Sequence, residues 1–370
     1  MKPATIAVHG GKRKSVNQGG IATPIFPSSA IEYLDDSEVR YPRYFNTINS
    51  EITAEKMALL EAAESALVTS SGMGAISAVI LALLKPGDHA LMLEGIYGGS
   101  HALMAEEFSR LGVEFSVVSA RVDAMREALR PNTRMVFVES PTNPFLTVLD
   151  LEAVATLAHE NDMVAVIDGT FATPILQKPI ALGFDVVVHS GTKYLGGHSD
   201  LCCGVVAADA AIIDRVRNTS MKYGTSLNAQ DCALLERSLL TLELRVMRQS
   251  ENALQIATAL HDDKRISKVF YPGLPSHPGH DIARRQMRAF GGMLSFTLGA
   301  GADPESYLRG LKLISCAVSL GGVETTICQP MATSHQKMPA DERERLGITP
   351  SLLRLSVGIE DVDDLLEDLL

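Results

Sequence analysis

From His89 to Ala208 the chain repeats one unit, a short apolar run of strand length followed by a stretch of helical character. The runs are "HALMLE", "VEFSVV", "MVFVES", "MVAVID" and "DVVV". Between them lie stretches through Met104 and Phe108, from Met125 to Leu129, and from Leu151 to His159. Strands separated by crossovers of this length predict an α/β chain with a doubly wound, mainly parallel sheet. After Cys203, "GVVAAD" adds one more strand, expected to run antiparallel beyond the preceding turn.

The flanks are less regular. Residues 1–50 carry scattered Gly and Pro with little periodicity and are expected to form an extended arm that reaches a neighbouring subunit. Met57, Leu60, Ala63 and Leu67 recur at three- and four-residue steps, which predicts an amphipathic helix from Thr53 to Leu67. A second helix follows "SSGMGA" and stops at Pro86-Gly87. From Gln230 to His261 the pattern is helical for about thirty residues, long enough to bridge two lobes. Beyond it, "KVFYPG", "GMLSFTLG" and "LLRLSVGIE" read as strands of a smaller α+β unit. The expected division is an arm over 1–50, a large domain over 51–245 and a small C-terminal domain over 246–370.

Chemistry concentrates where these strands end. "HSGTKYLGGHSD" follows "DVVV" and puts Lys193 just past a strand, where a dry setting lowers the amine's pKa and makes it a nucleophile for the aldehyde of pyridoxal 5'-phosphate (PLP). Ser190 and Thr192 flank it with short hydroxyls suited to a phosphate. Asp168 ends the preceding strand, where a carboxylate can pair with a protonated pyridine nitrogen. Both ends fall on one sheet edge, the usual ligand site of an open α/β sheet. Gly72 and Met73 sit where a helix begins, so their N–H groups can hold a dianion. Tyr97 offers a ring to stack on a flat heteroaromatic and a phenol to move a proton. Asn143 in "ESPTNP" lies in a Pro-bracketed turn, a rigid mount for an amide near the ring oxygen. Arg354 interrupts an apolar strand; its natural anion is a substrate α-carboxylate, with a structural Asp or Glu as the other reading.

Composition narrows the partners. A net charge of −11 with scattered basic residues argues against nucleic acid. The longest apolar run, Ala75 to Leu84, is too short for a membrane span, and the N-terminus lacks a secretory pattern, so a cytoplasmic protein is expected. The five cysteines include no CxxC pair and read as reduced thiols; His277 and His280 sit in a Pro/Gly turn and read as structural, so no metal is expected. A dinucleotide dehydrogenase would need a full GxGxxG, and "GMG" falls short of it.

Taken together, "SSGMGA", "YGGS", "ESPTNP", "VIDGTF", "HSGTKYLGGHSD", "VSLGGVET" and "LRLSVGIED" resemble, in order and nearly end to end, the PLP-dependent enzymes of cysteine and methionine metabolism. That trans-sulfuration family includes cystathionine γ-synthase, cystathionine and methionine γ-lyases, and cystathionine β-lyase. The resemblance implies the fold-type I PLP fold and a homotetramer made of tight dimers. It implies that Lys193 bonds the cofactor, Asp168 pairs the pyridine nitrogen and Tyr97 stacks on the ring. Ser190, Thr192, Gly72 and Met73 would bind phosphate, and Arg354 and Ser319 would face substrate. Tyr41 and Arg43 match a "YxR" segment that reaches the adjacent subunit's cofactor phosphate; Tyr41 and Asn143 would also meet substrate.

The chain departs from the family pattern at several positions. Asn46-Thr47-Ile48 replaces "NPT", and Gly169 replaces the Asn after the cofactor aspartate. Val318 stands where cystathionine-handling γ-enzymes carry Glu, and Ala102 where several carry Arg. Methionine γ-lyases share those two features but carry Cys where Gly99 sits. The resemblance implies a carbon–sulfur lyase of sulfur amino acids that releases a thiol, ammonia and a 2-oxo acid, with Lys193 and Tyr97 catalytic. A γ-replacement transferase or a cystathionine β-lyase is the alternative.

Overall fold

A computed structural model describes residues 1–34, 37–336, 338 and 340–370. Seven strands form the larger sheet: β1 (Ser65–Thr69), β2 (His89–Leu93), β3 (Glu114–Val118), β4 (Thr133–Glu139), β5 (Val164–Asp168), β6 (Val186–Ser190) and β7 (Gly204–Ala208). Their spatial order is β1-β7-β6-β5-β4-β2-β3, and every pair is parallel except those that β7 makes with β6 and β1. The expected parallel sheet and the antiparallel strand after the lysine turn are both present. Val186, Val187 and Val188 are fully buried, as are Val136, Phe137 and Val138 on β4, because helices cover both faces. Each such side chain contributes about 1.5–3 kcal/mol by leaving water. Because β7 alone is reversed, the C-terminal ends of β1, β2, β4, β5 and β6 share one edge.

A second sheet follows in sequence: β8 (Ile266–Phe270), β9 (Met293–Leu298), β10 (Ser315–Cys316), β11 (Thr326–Cys328) and β12 (Leu352–Ser356), ordered β10-β11-β12-β9-β8 and antiparallel apart from β10 with β11. Arg354 lies mid-strand on β12, paired with Ser295 and Cys328.

Three expectations are corrected. The helix predicted over Thr53–Leu67 spans Ile48–Glu61 and ends at Ala62, whose φ of 58° is left-handed; Leu67 instead lies on β1, opposite Val206. Pairing with β7 overrides the helical spacing there. The long helix expected from Gln230 to His261 is two helices, Ala229–Leu239 and Leu242–Asp262. At the break, Leu240 and Thr241 bond back three residues, and the buried Arg245 takes the Ser238 carbonyl at 2.9 Å. The N-terminal arm is not wholly extended: Pro3–His9 is a helix with Ala7 buried against the core, while the described residues of 18–41 form no helix or strand. Pro3 at the first turn presets its φ.

Candidate active site

At the shared edge lies a cavity of about 420 Å³. The larger sheet supplies one half. Ser71 caps the helix Gly72–Leu83, accepting from the Gly74 N–H at 3.0 Å, and so fixes free N–H groups at the cavity wall. Gly72 packs so close to β6 that a Cβ there would meet the Ser190 side chain at 2.7 Å, which explains a glycine at this point. Helix N-terminus and Ser190 hydroxyl thus form a cradle of anion-binding size. Thr192 also lines the cavity, but its hydroxyl is engaged with the backbone of Cys203, at 3.2 Å to the carbonyl and 3.1 Å from the N–H.

Asp168 ends β5, only 6% exposed. Its Oδ1 accepts from the Thr170 N–H at 3.0 Å and the Thr170 hydroxyl at 2.5 Å, and that hydroxyl accepts from the Ser190 N–H at 2.8 Å. Burial pushes the carboxyl upward, and the two Thr170 bonds oppose the push. Behind it, His189 and Glu61 form a buried pair at 2.5 Å. A Cβ at Gly169 would meet that imidazole at 2.9 Å, so the backbone there runs close against the ring.

The lysine stands between the halves. Lys193 Nζ lies 3.2 Å from the Ser319 hydroxyl, and its pKa is lowered first by burial and next by the Arg354 charge. Both effects favour the neutral, nucleophilic amine. Ser319 holds a left-handed φ of 74°, and its carbonyl accepts from Arg354 Nη2 at 3.3 Å. Arg354 is 5% exposed, with Nη1 donating to Asn143 Oδ1 at 3.0 Å. Among the described residues no carboxylate lies within ion-pair distance of it, so the structural Asp or Glu is absent and the guanidinium remains available to a carboxylate in the cavity. Tyr97 lines the cavity, its ring free of other described rings.

Lys193, Asp168, Tyr97, Gly72, Met73, Ser190, Thr192, Asn143, Arg354 and Ser319 therefore converge on one cavity. Tyr41 and Arg43 do not: Arg43 donates to the Met221 carbonyl at 3.0 Å, and Tyr41 packs edge-on to Tyr44. Sequence reading missed Glu139, a buried carboxylate in the cavity wall. Its available signal was its place as the last residue of the strand before "SPTNP". An anion cradle, a buried acid and a neutral-leaning amine are the donor set that PLP requires, so these residues fit that cofactor.

Comparisons with known proteins agree. Residues 4–370 match the family model described as "Cys/Met metabolism PLP-dependent enzyme". The chain is 40% identical to an L-methionine gamma-lyase of Fusobacterium nucleatum subsp. polymorphum, covering 99% of this chain and 96% of that protein. It is 41% identical to a cystathionine gamma-synthase of Mycobacterium bovis, covering 99% and 95%. A crystal structure of cystathionine gamma-lyase from Lactobacillus plantarum, complexed with L-serine, superposes with a TM-score of 0.96 at 36% identity over 100% of this chain and 97% of that one. With matches along its whole length and a cavity equipped for the cofactor, the chain belongs to the PLP-dependent enzymes of Cys/Met metabolism.

Proposed function

We propose that this protein is a carbon–sulfur lyase that eliminates a thiol from the γ-carbon of a sulfur amino acid, leaving ammonia and a 2-oxo acid. The observation that carries this reading is the charge inventory of the cavity. Arg354 and Lys193 are the cations among its described lining residues, and Met73, Ile76, Phe171, Val318 and Leu320 provide apolar wall. One α-carboxylate has a partner in Arg354, and with Lys193 engaged in the chemistry a second substrate carboxylate finds no further cation among these residues, so an apolar thioether such as methionine suits the space.

PLP bound here supplies an electron sink for charge developing at the substrate Cα. The cradle of Gly72, Met73 and Ser190 would hold its phosphate, and Asp168 would pair with its ring nitrogen. Arg354 grips the substrate carboxylate and fixes the Cα–H direction. Lys193 Nζ takes the Cα proton, and Ser319 keeps that amine oriented. Tyr97 delivers a proton to departing sulfur.

The γ-replacement reading rests on the 41% identity with a cystathionine gamma-synthase and uses the same residues. Assembly as a homo-oligomer, with Tyr41 and Arg43 reaching a neighbour's site, is part of the proposal. It is supported by their absence from the described lining of this cavity and by the exposed Ile21, Tyr33 and Leu34 of the arm. So is the division at 245, near the break between the two long helices. No described helix is long and apolar enough to cross a membrane. Incubation with methionine, cystathionine, or O-acylhomoserine plus cysteine, followed by assay of thiol and 2-oxobutanoate, tests the function. Thiol and oxo acid from methionine are expected, and absence of oxo acid from every substrate overturns the lyase.

A further inference from the structure

Glu139 ends β4 and pairs in register with Asp168 at the end of β5. Because register partners on parallel strands share a face, both carboxyl groups enter the same cavity wall. Only Asp168 is needed beside a pyridine nitrogen, which leaves a buried acid, 5% exposed, with no part in the reaction as described.

Its contacts indicate what it does. Glu139 Oε2 accepts from the Tyr97 N–H at 2.9 Å, and the Asn143 N–H is near enough to stabilise the charged form of the same carboxyl group. Tyr97 is the residue before the helix Gly98–Ala102 and has no side-chain cap. No described backbone carbonyl takes its N–H. This bond ties the Tyr97 backbone to the end of β4, next to Ile96, which is buried in the core. Asn143 in turn carries the amide that holds Arg354 at 3.0 Å. One carboxyl group therefore holds the loop bearing the aromatic ring and faces the turn that supports the carboxylate grip.

We propose that Glu139 is a positioning residue that fixes Tyr97 and Asn143, and through Asn143 the Arg354 guanidinium, relative to the strand end that carries Asp168. This rests on the cofactor and substrate roles given above. Burial, then the neighbouring Asp168, pushes the Glu139 carboxyl well above the usual range, while Thr170 bonds hold Asp168 lower.

The test uses the reconstituted holoenzyme with E139A and E139Q. Circular dichroism in the visible band of the bound cofactor reports ring orientation, and a titration with glycine, followed by cofactor absorbance, reports the carboxylate grip; neither needs turnover. E139A is expected to keep its cofactor, because Lys193 is intact, while glycine binding weakens about tenfold, the dichroic band changes, and methionine turnover falls in both kcat and KM terms. E139Q retains an acceptor oxygen of the same reach and should stay within about threefold of the parent. If E139A fails to fold, E139D, one methylene short of both N–H groups, takes its place with the same expected losses. Glycine binding and dichroism within twofold of the parent in the shortened variant overturn the proposal, as does E139Q impaired equally with E139A. A parent enzyme that yields no thiol defeats the lyase reading and leaves these two measurements standing.

Discussion

The two halves of the cavity are built differently. On the cofactor side, Asp168, Ser190 and Glu139 are last residues of adjacent, buried parallel strands, and the Gly72–Leu83 helix begins directly after β1. Each of these groups is placed by sheet register or by a capped helix end. On the substrate side, Val318, Ser319, Thr333 and Ser334 lie on irregular segments between β10 and β12, with Arg354 as the strand-borne exception. Register couples many hydrogen bonds, so a strand-end residue cannot shift alone, whereas a loop residue can. Under the proposed function, the contrast assigns the reaction's common chemistry to the rigid half and choice among sulfur substrates to the half that can vary.

The severest challenge to that division is K193A. Removing the amine that stands between the halves and carries the common chemistry should leave the reconstituted protein without visible cofactor absorbance and reduce turnover by about 10⁴-fold for every substrate alike. Residual turnover differing between methionine and cystathionine would break the comparison. R354A should retain the cofactor colour while raising KM for amino acids by about 10- to 100-fold, the loss of a charge-assisted pair, as steady-state kinetics would show. V318E adds a charge at a position that is 70% exposed. It should move the methionine-to-cystathionine preference by about fivefold with kcat nearly unchanged, and a loss of kcat on both substrates would contradict the assignment of specificity to this half.

The smallest effect concerns the support of the substrate side. His335 is 2% exposed, its Nδ1 lies 2.9 Å from the Ser334 hydroxyl, and burial, then Arg354, pushes its pKa down to about 4. The unfolded chain takes up that proton near the ordinary value of 6.5. Between these values the unfolded state binds more protons, so stability falls as pH falls and levels off below about 4. Replacing His335 by Gln should flatten this slope by about 1–3 kcal/mol across the window, measured by denaturant titration at several pH values.

Legibility followed the same contrast. Lys193, Asp168, Tyr97, Gly72 and Arg354 could be read from sequence because each follows or interrupts an apolar run, and such breaks in pattern are local. Asn143, expected near the cofactor ring from its Pro-bracketed turn, lines the cavity, and its Oδ1 accepts from Arg354. Glu139 was not legible, because a Glu at the end of a strand usually meets water; only its register with Asp168 buries it. Nor could Thr192 be seen to spend its hydroxyl on Cys203, a contact made across the lysine turn. β1 was hidden for a related reason: Leu67 fits a helical spacing until β7 is present to pair with it.

By itself, then, the amino-acid order determined the alternating architecture, the larger sheet's direction and the residues able to bear the cofactor, since hydrophobic period, glycine turns and chemical identity are properties of neighbouring residues. Tertiary structure alone decided which strand ends stand side by side, which buried acid tethers which loop, and which residues of the arm leave this cavity for elsewhere. Those depend on register and burial between segments far apart in the chain, and no local pattern encodes a distance across a sheet.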